Sequence, residues 1–123
     1  MEKDKIDSPP LGLRGEEIAA SYLEEKGYRI LEKHFFFHHT EIDLIARDGH
    51  YLVFIEVKTR KSEDFGFPEE AMTERKKSYL RKAAEGYLYL NQLNNVDCRF
   101  DVVCIRFNRE NQPEIEHFIN AFE

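Results

Sequence analysis

The sequence predicts a mixed α/β domain with the element order α-β-β-β-α-β-β. Two runs rich in β-branched and aromatic residues, 51–59 and 99–107, have the length and composition of central strands covered on both faces. A long amphipathic segment, residues 69–92, separates these runs and is typical of a crossover helix, which would make the two strands parallel. The Asp48-Gly49 turn instead indicates an antiparallel hairpin before the run 51–59. We therefore expect a mixed sheet flanked by helices.

The length and composition are those of a single globular domain. The chain has 123 residues, of which 41% are hydrophobic and 34% charged, and this size allows one core but not two. Residues 1–12 are predicted to be a disordered lead-in, and residues 13–123 a single domain. No apolar run has the length of a membrane helix, and the start does not resemble a signal peptide. The two cysteines form no metal-binding pattern, so we expect reduced thiols and a cytoplasmic location.

The first half is expected to contain one helix and three strands, of which 51–59 is the third. Residues 15–26 are predicted as a helix that ends before Gly27, a favourable C-cap residue. Residues 28–37 are predicted as the first strand, and residues 41–47, which alternate charged and apolar side chains, as the second. The apolar stripe of the helix comprises Ile18, Ala19, Tyr22 and Leu23. Three consecutive aromatic residues are expected in the core, unless one of them packs on a nucleobase: Phe35, Phe36 and Phe37.

The second half is expected to contain the crossover helix and two further strands. Residues 61–68 are predicted as a loop, and a short strand at 114–118 follows the run 99–107. The apolar stripe of the helix 69–92 comprises Met72, Tyr79, Leu80, Ala83, Tyr87 and Leu90. Lys76 falls in the middle of this stripe, so its ammonium either reaches an acidic partner on the sheet or extends into water at the helix end.

Glu56 and Lys58 interrupt the apolar run 51–59. The two-residue period of a strand places them on the same face, where an unpaired buried charge would be strongly unfavourable. The hairpin brings Asp43 opposite Glu56 or one step diagonal to it, so that the two side chains lie roughly 5 to 8 Å apart. This separation suits one hydrated divalent cation. We expect Mg²⁺ (or Mn²⁺) as the cofactor, with Lys58 beside it where a phosphate would bind.

An Asp followed by Glu-x-Lys at the end of an apolar strand is the pattern of PD-(D/E)xK nucleases. The chain also resembles the YraN family of uncharacterised bacterial proteins from about Gly15 to Phe122, and that family is similar in fold to archaeal Holliday-junction resolvases. The motifs that carry this resemblance are Glu41-Ile-Asp-Leu-Ile-Ala46, Val53-Phe-Ile-Glu-Val-Lys-Thr-Arg60, Arg99-Phe-Asp-Val-Val103 and Asn120-Ala-Phe122. The resemblance implies a restriction-endonuclease-like core. Thr40 stands where the family usually has a glycine, which makes the local backbone a point to examine.

The resemblance also implies an activity and a set of roles. The expected reaction is metal-dependent hydrolysis of phosphodiester bonds in DNA, including branched or structured DNA. Asp43 and Glu56 would hold the metal with the carbonyl of Val57, and Lys58 would orient or deprotonate the attacking water and stabilise the developing charge. Glu17 would be a further metal ligand by resemblance alone, because its helical position lies off the apolar stripe and otherwise indicates a surface acid near the helix N-terminus.

Basic residues near the site are the candidates for nucleic-acid binding. Arg60, Lys76, Lys77 and Arg81 are expected to contact flanking phosphates, and the family also places a lysine at position 76. The formal net charge of −6 argues against nonspecific coating of DNA. DNA, branched or single-stranded included, is the expected partner. A membrane is not expected, and homo-oligomerisation stays open.

Several candidates have a structural alternative. The acids and Lys58 would form a plain ion-pair cluster at a strand end if no metal binds, and Glu41 either extends the metal site or faces solvent. Asp101 and Arg99 are expected to form a structural pair. Three histidines are not expected to be metal ligands: His34, His38 and His39. The loop position of His38 and His39 favours solvent exposure.

Two other functions compete with the nuclease. The first is a nucleic-acid-binding module that keeps the site but does not cleave. The second is a structural domain whose acids bind a stabilising ion. Metal-dependent cleavage separates the nuclease from the binding module, and salt-sensitive DNA binding separates the module from the structural domain.

Overall fold

The computed structural model describes residues 11–61 and 67–123, which form one five-stranded sheet with a helix packed on each face. The predicted mixed α/β class and the element order are confirmed. The elements are α1 (Leu11–Glu25), β1 (Arg29–Phe37), β2 (Thr40–Asp48), β3 (Tyr51–Arg60), α2 (Glu74–Leu90), β4 (Cys98–Phe107) and β5 (Pro113–Phe122).

The strands follow one another across the sheet in chain order, β1-β2-β3-β4-β5. Neighbouring strands are antiparallel except β3 and β4, which run parallel with Leu52 opposite Cys98 and Arg60 opposite Arg106. The parallel pair is the one that α2 connects, because a parallel connection needs a crossover element whereas a two-residue turn suffices for a hairpin. The predicted mixed sheet is therefore present.

Helix α1 begins four residues before the predicted start and ends with a glycine cap. Gly27 adopts a φ of 96°, and the N–H groups of Gly27 and Tyr28 donate to the carbonyls of Glu24 and Leu23 at 3.0 and 2.9 Å. This pair of bonds satisfies the last helical carbonyls, which is why a glycine is favoured here. Of the predicted lead-in, residues 1–10 lie outside the described residues, and the last two residues belong to α1.

Helix α2 is shorter than the predicted segment 69–92. Thr73 has an extended backbone and caps the helix by accepting from the N–H of Lys76 at 3.2 Å, so the residues before it form turns instead. The predicted apolar stripe is wrong at Tyr79 and Leu90, which are 42% and 61% exposed. Ala84 and Gly86 are buried instead. The face of α2 that packs on the sheet is therefore rotated relative to the face predicted from the large apolar side chains.

Two apolar layers cover the sheet. The layer on the α1 side includes Leu23, Leu44 and Ile55, and the layer on the α2 side includes Phe54 and Leu80. Phe36, predicted as core, is exposed, since alternation along β1 turns it away from its neighbours. The predicted loop 61–68 falls largely on residues outside the described part. Neither helix within 11–61 and 67–123 is long and apolar enough to cross a membrane.

Candidate active site

Strands β2 and β3 separate at the point where the candidate site lies. Their paired register ends at Leu44 opposite Ile55, and continuing it by one step would place Asp43 opposite Glu56. There the Asp43 Oδ2 atom accepts a hydrogen bond from the N–H of Val57 at 2.8 Å, so a carboxylate takes the place of a strand carbonyl. The opening in the ladder holds the side chain of Asp43 next to that of Glu56.

Glu56 is a buried acid that contacts two lysines through one of its oxygens. Its Oε2 atom lies 3.1 Å from Lys58 Nζ and 3.7 Å from Lys76 Nζ. Lys76 therefore reaches the acidic site from α2, which decides between the two positions that its place in the apolar stripe allowed. The Oε1 atom of Glu56 is buried and has no hydrogen-bond partner among the described residues. A buried carboxylate oxygen without a donor is unfavourable, and a bound cation would relieve it.

The pKa of Asp43 is raised to about 7. Burial is the largest cause, and the negative charges of Glu56, Glu16 and Glu41 add to it, while the hydrogen bond from Val57 acts in the opposite direction. In the metal-free protein this carboxyl group therefore keeps its proton to a much higher pH than an ordinary aspartate does. A divalent cation bound beside Asp43 would stabilise the charged form of this carboxyl group.

Helix α1 contributes Glu16, which the sequence reasoning missed in favour of Glu17. The Glu16 side chain is 19% exposed, its carboxyl group hydrogen-bonds with that of Asp43, and burial raises its pKa. Glu17 is exposed. Glu16 precedes the buried residues Ala19 and Leu23 by three and seven positions, which is the helical spacing of one face. The sequence therefore contained the spacing that places Glu16 on the buried face. The predicted apolar stripe was instead centred on the larger side chains of Ile18 and Tyr22.

A glycine allows α1 to approach the site so closely. A Cβ atom added at Gly15 would overlap the side chain of Thr59 on β3, so only a glycine lets the helix backbone contact the strand at this place. The next residue along the helix is Glu16. The contact is made with Thr59, which follows Lys58 in β3. It therefore places Glu16 near the end of β3.

His34 is a second residue that the sequence reasoning did not place in the site. Its Nε2 atom lies 3.0 Å from Glu16 Oε1, and its Nδ1 atom lies 2.5 Å from Glu41 Oε2. The hydrogen bond with Glu41 is the largest cause that raises the pKa of His34, with further contributions from Glu16 and Asp43. His38 and His39 are exposed as expected, whereas the contacts of His34 with two acids were not anticipated.

The backbone of β1 is distorted at His34. This residue has a φ of 56° in the middle of the strand, and it faces Asp43 in the β1–β2 register between the pairs Lys33–Leu44 and Phe35–Ile42. Left-handed backbone is uncommon for a residue other than glycine and often marks functional positions. Thr40 begins β2 without a left-handed φ, and His38 in the same hairpin has a left-handed φ of 56° instead.

The other predicted nucleic-acid contacts do not converge on the acids. Lys77 forms an ion pair with Glu74 at 3.2 Å and lies 5.7 Å from the ring centroid of Phe122. Arg81 donates to the terminal Glu123 backbone oxygen and also lies over Phe122. Arg60 is at the end of β3, half-buried, beside residues outside the described part. Lys77 and Arg81 thus anchor the end of β5 to α2.

Asp101 and Arg99 form the predicted structural pair. Two guanidinium nitrogens of Arg99 donate to the two Asp101 oxygens at 3.0 and 3.1 Å, and Arg99 also contacts Asp48. His117 and the Tyr28 hydroxyl lie 2.8 and 3.0 Å from Asp101 Oδ2. These contacts account for the buried charge without any further ligand.

The donor set suits a hydrated hard cation. Within residues 11–61 and 67–123, no three His, Cys, Asp or Glu side chains are arranged to hold a metal ion by themselves. Asp43 and Glu56 are two adjacent carboxylates, and Mg²⁺ is commonly bound by one or two carboxylates while it keeps several waters. The Glu56 oxygen that has no donor in the described part of the chain and the raised pKa of Asp43 both fit such an ion.

Comparison with known proteins gives a consistent result. Residues 15–105 match the group described as "Uncharacterised protein family UPF0102". A UPF0102 protein of Geobacter sulfurreducens is 45% identical over 113 residues, which cover 92% of this chain and 88% of that protein. Similar proteins occur in Pelotomaculum thermopropionicum, at 47% identity over 91% and 94% of the two chains, and in Syntrophomonas wolfei, at 48% over 91% and 96%.

Proposed function

This chain belongs to the UPF0102 family, and we propose that it is a metal-dependent nuclease that hydrolyses phosphodiester bonds in branched or otherwise structured DNA. The observation that carries the proposal is the juxtaposition of two buried carboxylates and a lysine where β2 and β3 separate. One oxygen of Glu56 has no donor there among residues 11–61 and 67–123, and the pKa of Asp43 is raised to about 7. A self-contained ion pair would leave neither feature.

Asp43 and Glu56 would hold Mg²⁺ or Mn²⁺. The carbonyl of Val57 and the carboxylate of Glu16 are the nearby protein oxygens proposed to complete the set, and Glu16 replaces Glu17 in this role. When bound, the ion would supply positive charge for the phosphate and lower the pKa of a nucleophilic water. The charge of the ion would also lower the pKa of Asp43, so binding would release a proton at neutral pH.

Lys58 is the proposed phosphate-side group. Its ammonium lies 3.1 Å from Glu56 Oε2 and is about one quarter exposed, so it faces both the acid and the solvent. Once a cation engages Glu56, the ammonium becomes available to a phosphate oxygen, where it would stabilise charge in the transition state. Lys76, which approaches the same oxygen from α2, would hold a neighbouring phosphate.

A binding module without catalysis is the second candidate. It is favoured by the fact that Lys58 and Lys76 both contact Glu56 Oε2, since two cations already offset much of the charge of that acid. In that case DNA would bind to the same face, and its affinity would depend on salt but not on a divalent metal.

The test is a cleavage assay on duplex, single-stranded, flapped and four-way DNA with Mg²⁺, Mn²⁺ or EDTA. We expect metal-dependent cleavage of at least one of the structured DNAs, lost in Lys58→Ala while metal-induced stabilisation remains, because an ammonium does not ligate metal. Lys26→Ala, a change at an exposed lysine after α1, is the matched control and should cleave normally. Cleavage by Lys58→Ala at the wild-type rate would contradict the assigned role. DNA binding without cleavage under all conditions would favour the module.

A further inference from the structure

An aromatic groove lies next to the candidate active site on the α2 side of the sheet. Its volume is about 550 Å³, and its walls are the β1–β2 hairpin and one face of α2. The groove reaches Thr40, which adjoins Glu41, and Tyr79, which follows the site lysine Lys76 by one helical turn. The groove and the acidic site are thus both formed by the first part of β2 and by α2.

Rings make up most of the groove wall. Five of its nine lining residues carry an aromatic ring: Phe37, His38, His39, Tyr79 and Tyr89. Gly86 also lines the groove, and an added Cβ atom there would overlap the ring of Phe37, so this ring packs directly on the helix backbone. Tyr89 is 82% exposed, and its ring is free to stack on a planar ligand.

The charges around the groove favour an anionic chain that carries a planar group. Helix α2 has five basic and two acidic residues, in a protein whose formal net charge is −6. Lys82 lines the groove, and Arg75 donates to the Tyr79 hydroxyl at 3.2 Å with its guanidinium 5.7 Å from the ring centroid. Glu85 also lines the groove and would repel a phosphate, but its carboxylate can accept from an exocyclic amino group.

We propose that this groove binds an unpaired nucleobase of the DNA strand that enters the active site. The inference deepens the proposed function and rests on it for the identity of the ligand. Base–aromatic stacking tolerates any sequence, and it requires a base that is not already stacked in a duplex. The substrate class is therefore DNA with a single-stranded segment next to the cleaved phosphate, such as a flap or an unpaired end, rather than a continuous duplex.

The test measures binding in EDTA, so that cleavage does not interfere. The double variant Tyr79→Ala/Tyr89→Ala should weaken binding of a fluorescein-labelled single-stranded oligonucleotide by about 5- to 150-fold, the range for one lost base stack. The salt dependence should stay unchanged, because the phosphate contacts remain. The matched control is Phe36→Ala/Leu90→Ala, which removes two side chains that are 67% and 61% exposed and lie outside the groove. Its affinity should equal that of the wild type.

A second measurement uses the wild-type protein alone. An oligonucleotide with 5-iodouracil at single positions should photo-cross-link to Tyr79 or Tyr89, as mapped by mass spectrometry, and the same base within a duplex should not. Cross-links confined to other surfaces would overturn the proposal. So would equal affinity of wild type and double variant, or an equal loss for duplex and single strand. A wild-type dimer that the double variant dissolves would assign the groove to a second copy instead.

The outcome is separable from that of the nuclease proposal. Lys58→Ala should lose cleavage but keep the cross-links to Tyr79 and Tyr89, since Lys58 does not line the groove. If no DNA is cleaved but the groove tyrosines still cross-link, base binding stands and the nuclease proposal fails. If DNA is cleaved and the double variant cuts flapped and duplex DNA as the wild type does, the nuclease stands and the groove proposal fails.

Discussion

Asp43 and Asp101 are both buried carboxylates of the same sheet, on strands that flank β3, but their surroundings are opposite. Asp101 takes part in five hydrogen bonds with Arg99, His117, Tyr28 and the N–H of Asn120. Asp43 accepts one backbone hydrogen bond, from Val57, and is otherwise surrounded by other acids. The pKa of Asp101 is lowered to about 2, whereas that of Asp43 is raised to about 7.

Burial does not distinguish these two sites. Desolvation is the largest cause acting on each carboxyl group and raises the pKa of both. The hydrogen bonds from His117, Arg99 and Asn120 outweigh it at Asp101, while the charge of Glu56 adds to it at Asp43. The protein itself satisfies the charge of Asp101, whereas the raised pKa of Asp43 is part of the basis for the proposed metal site.

The largest expected difference is in the effect of neutralisation on stability. Asp101→Asn should lower the free energy of unfolding by about 3–5 kcal/mol, because it removes the buried anionic partner of Arg99 and leaves this arginine with the partly exposed Asp48. Asp43→Asn should cause no loss in EDTA, because it relieves repulsion from Glu56. Urea denaturation in EDTA measures both. A loss at Asp43 as large as that at Asp101 would show that Asp43 is a structural acid.

Added metal should also distinguish the two variants by how much it stabilises each of them. Mg²⁺ or Mn²⁺ at one hundred times the dissociation constant should stabilise the wild-type protein by about 2.7 kcal/mol. Asp43→Asn should lose most of this gain, because an amide is a poorer ligand for a hard cation than a carboxylate. Asp101→Asn should keep the gain in full, provided that it folds. Thermal melts across a metal titration would show this, and equal shifts in wild type and Asp43→Asn would remove Asp43 as a ligand.

Neighbouring acids on α1 provide a matched control for that titration. Glu16→Gln should weaken metal binding by about tenfold, the size expected for loss of a supporting carboxylate. Glu17→Gln should leave metal binding unchanged, because the Glu17 side chain is exposed. Weaker metal binding in Glu17→Gln but not in Glu16→Gln would instead support Glu17 as the metal ligand, as the family resemblance implied.

A further expected effect is in the pH dependence of stability, where the two carboxylates should act with opposite sign. Asp43 binds its proton more tightly in the folded protein, so in EDTA its contribution to stability should fall as the pH rises from about 4 to 7. Asp101 binds its proton less tightly when folded. Its contribution, on the order of 2 kcal/mol, should be lost as the pH falls from about 4 towards 2.

Denaturation midpoints in EDTA across this range would test both signs. In Asp43→Asn, stability should decline less between pH 5 and 7 than in the wild type. The loss of stability below pH 4 should be the same in both proteins. A decline of the same steepness in Asp43→Asn would mean that another group titrates there.

Periodicity predicted the elements well where local sequence decides them. The hairpin around Gly49, with its φ of 61°, and the cap at Gly27 follow from residues within a few positions of each other. The start of α2 was misplaced because the cap at Thr73 competes with a helical pattern that continues on either side of it. The burial of Gly86 depends on the ring of Phe37, which is distant in sequence.

The sequence by itself determined the family, the mixed sheet and the proximity of Asp43, Glu56 and Lys58, because strand period and hairpin register are local and discrete. Only the tertiary structure decided which α1 acid faces them, since a helix turns by about 100° per residue and its rotation depends on packing against another element. The contact between Gly15 and Thr59 sets that rotation and selects Glu16. The opposite pKa values of Asp43 and Asp101 likewise arise from side chains that the chain brings together over long separations.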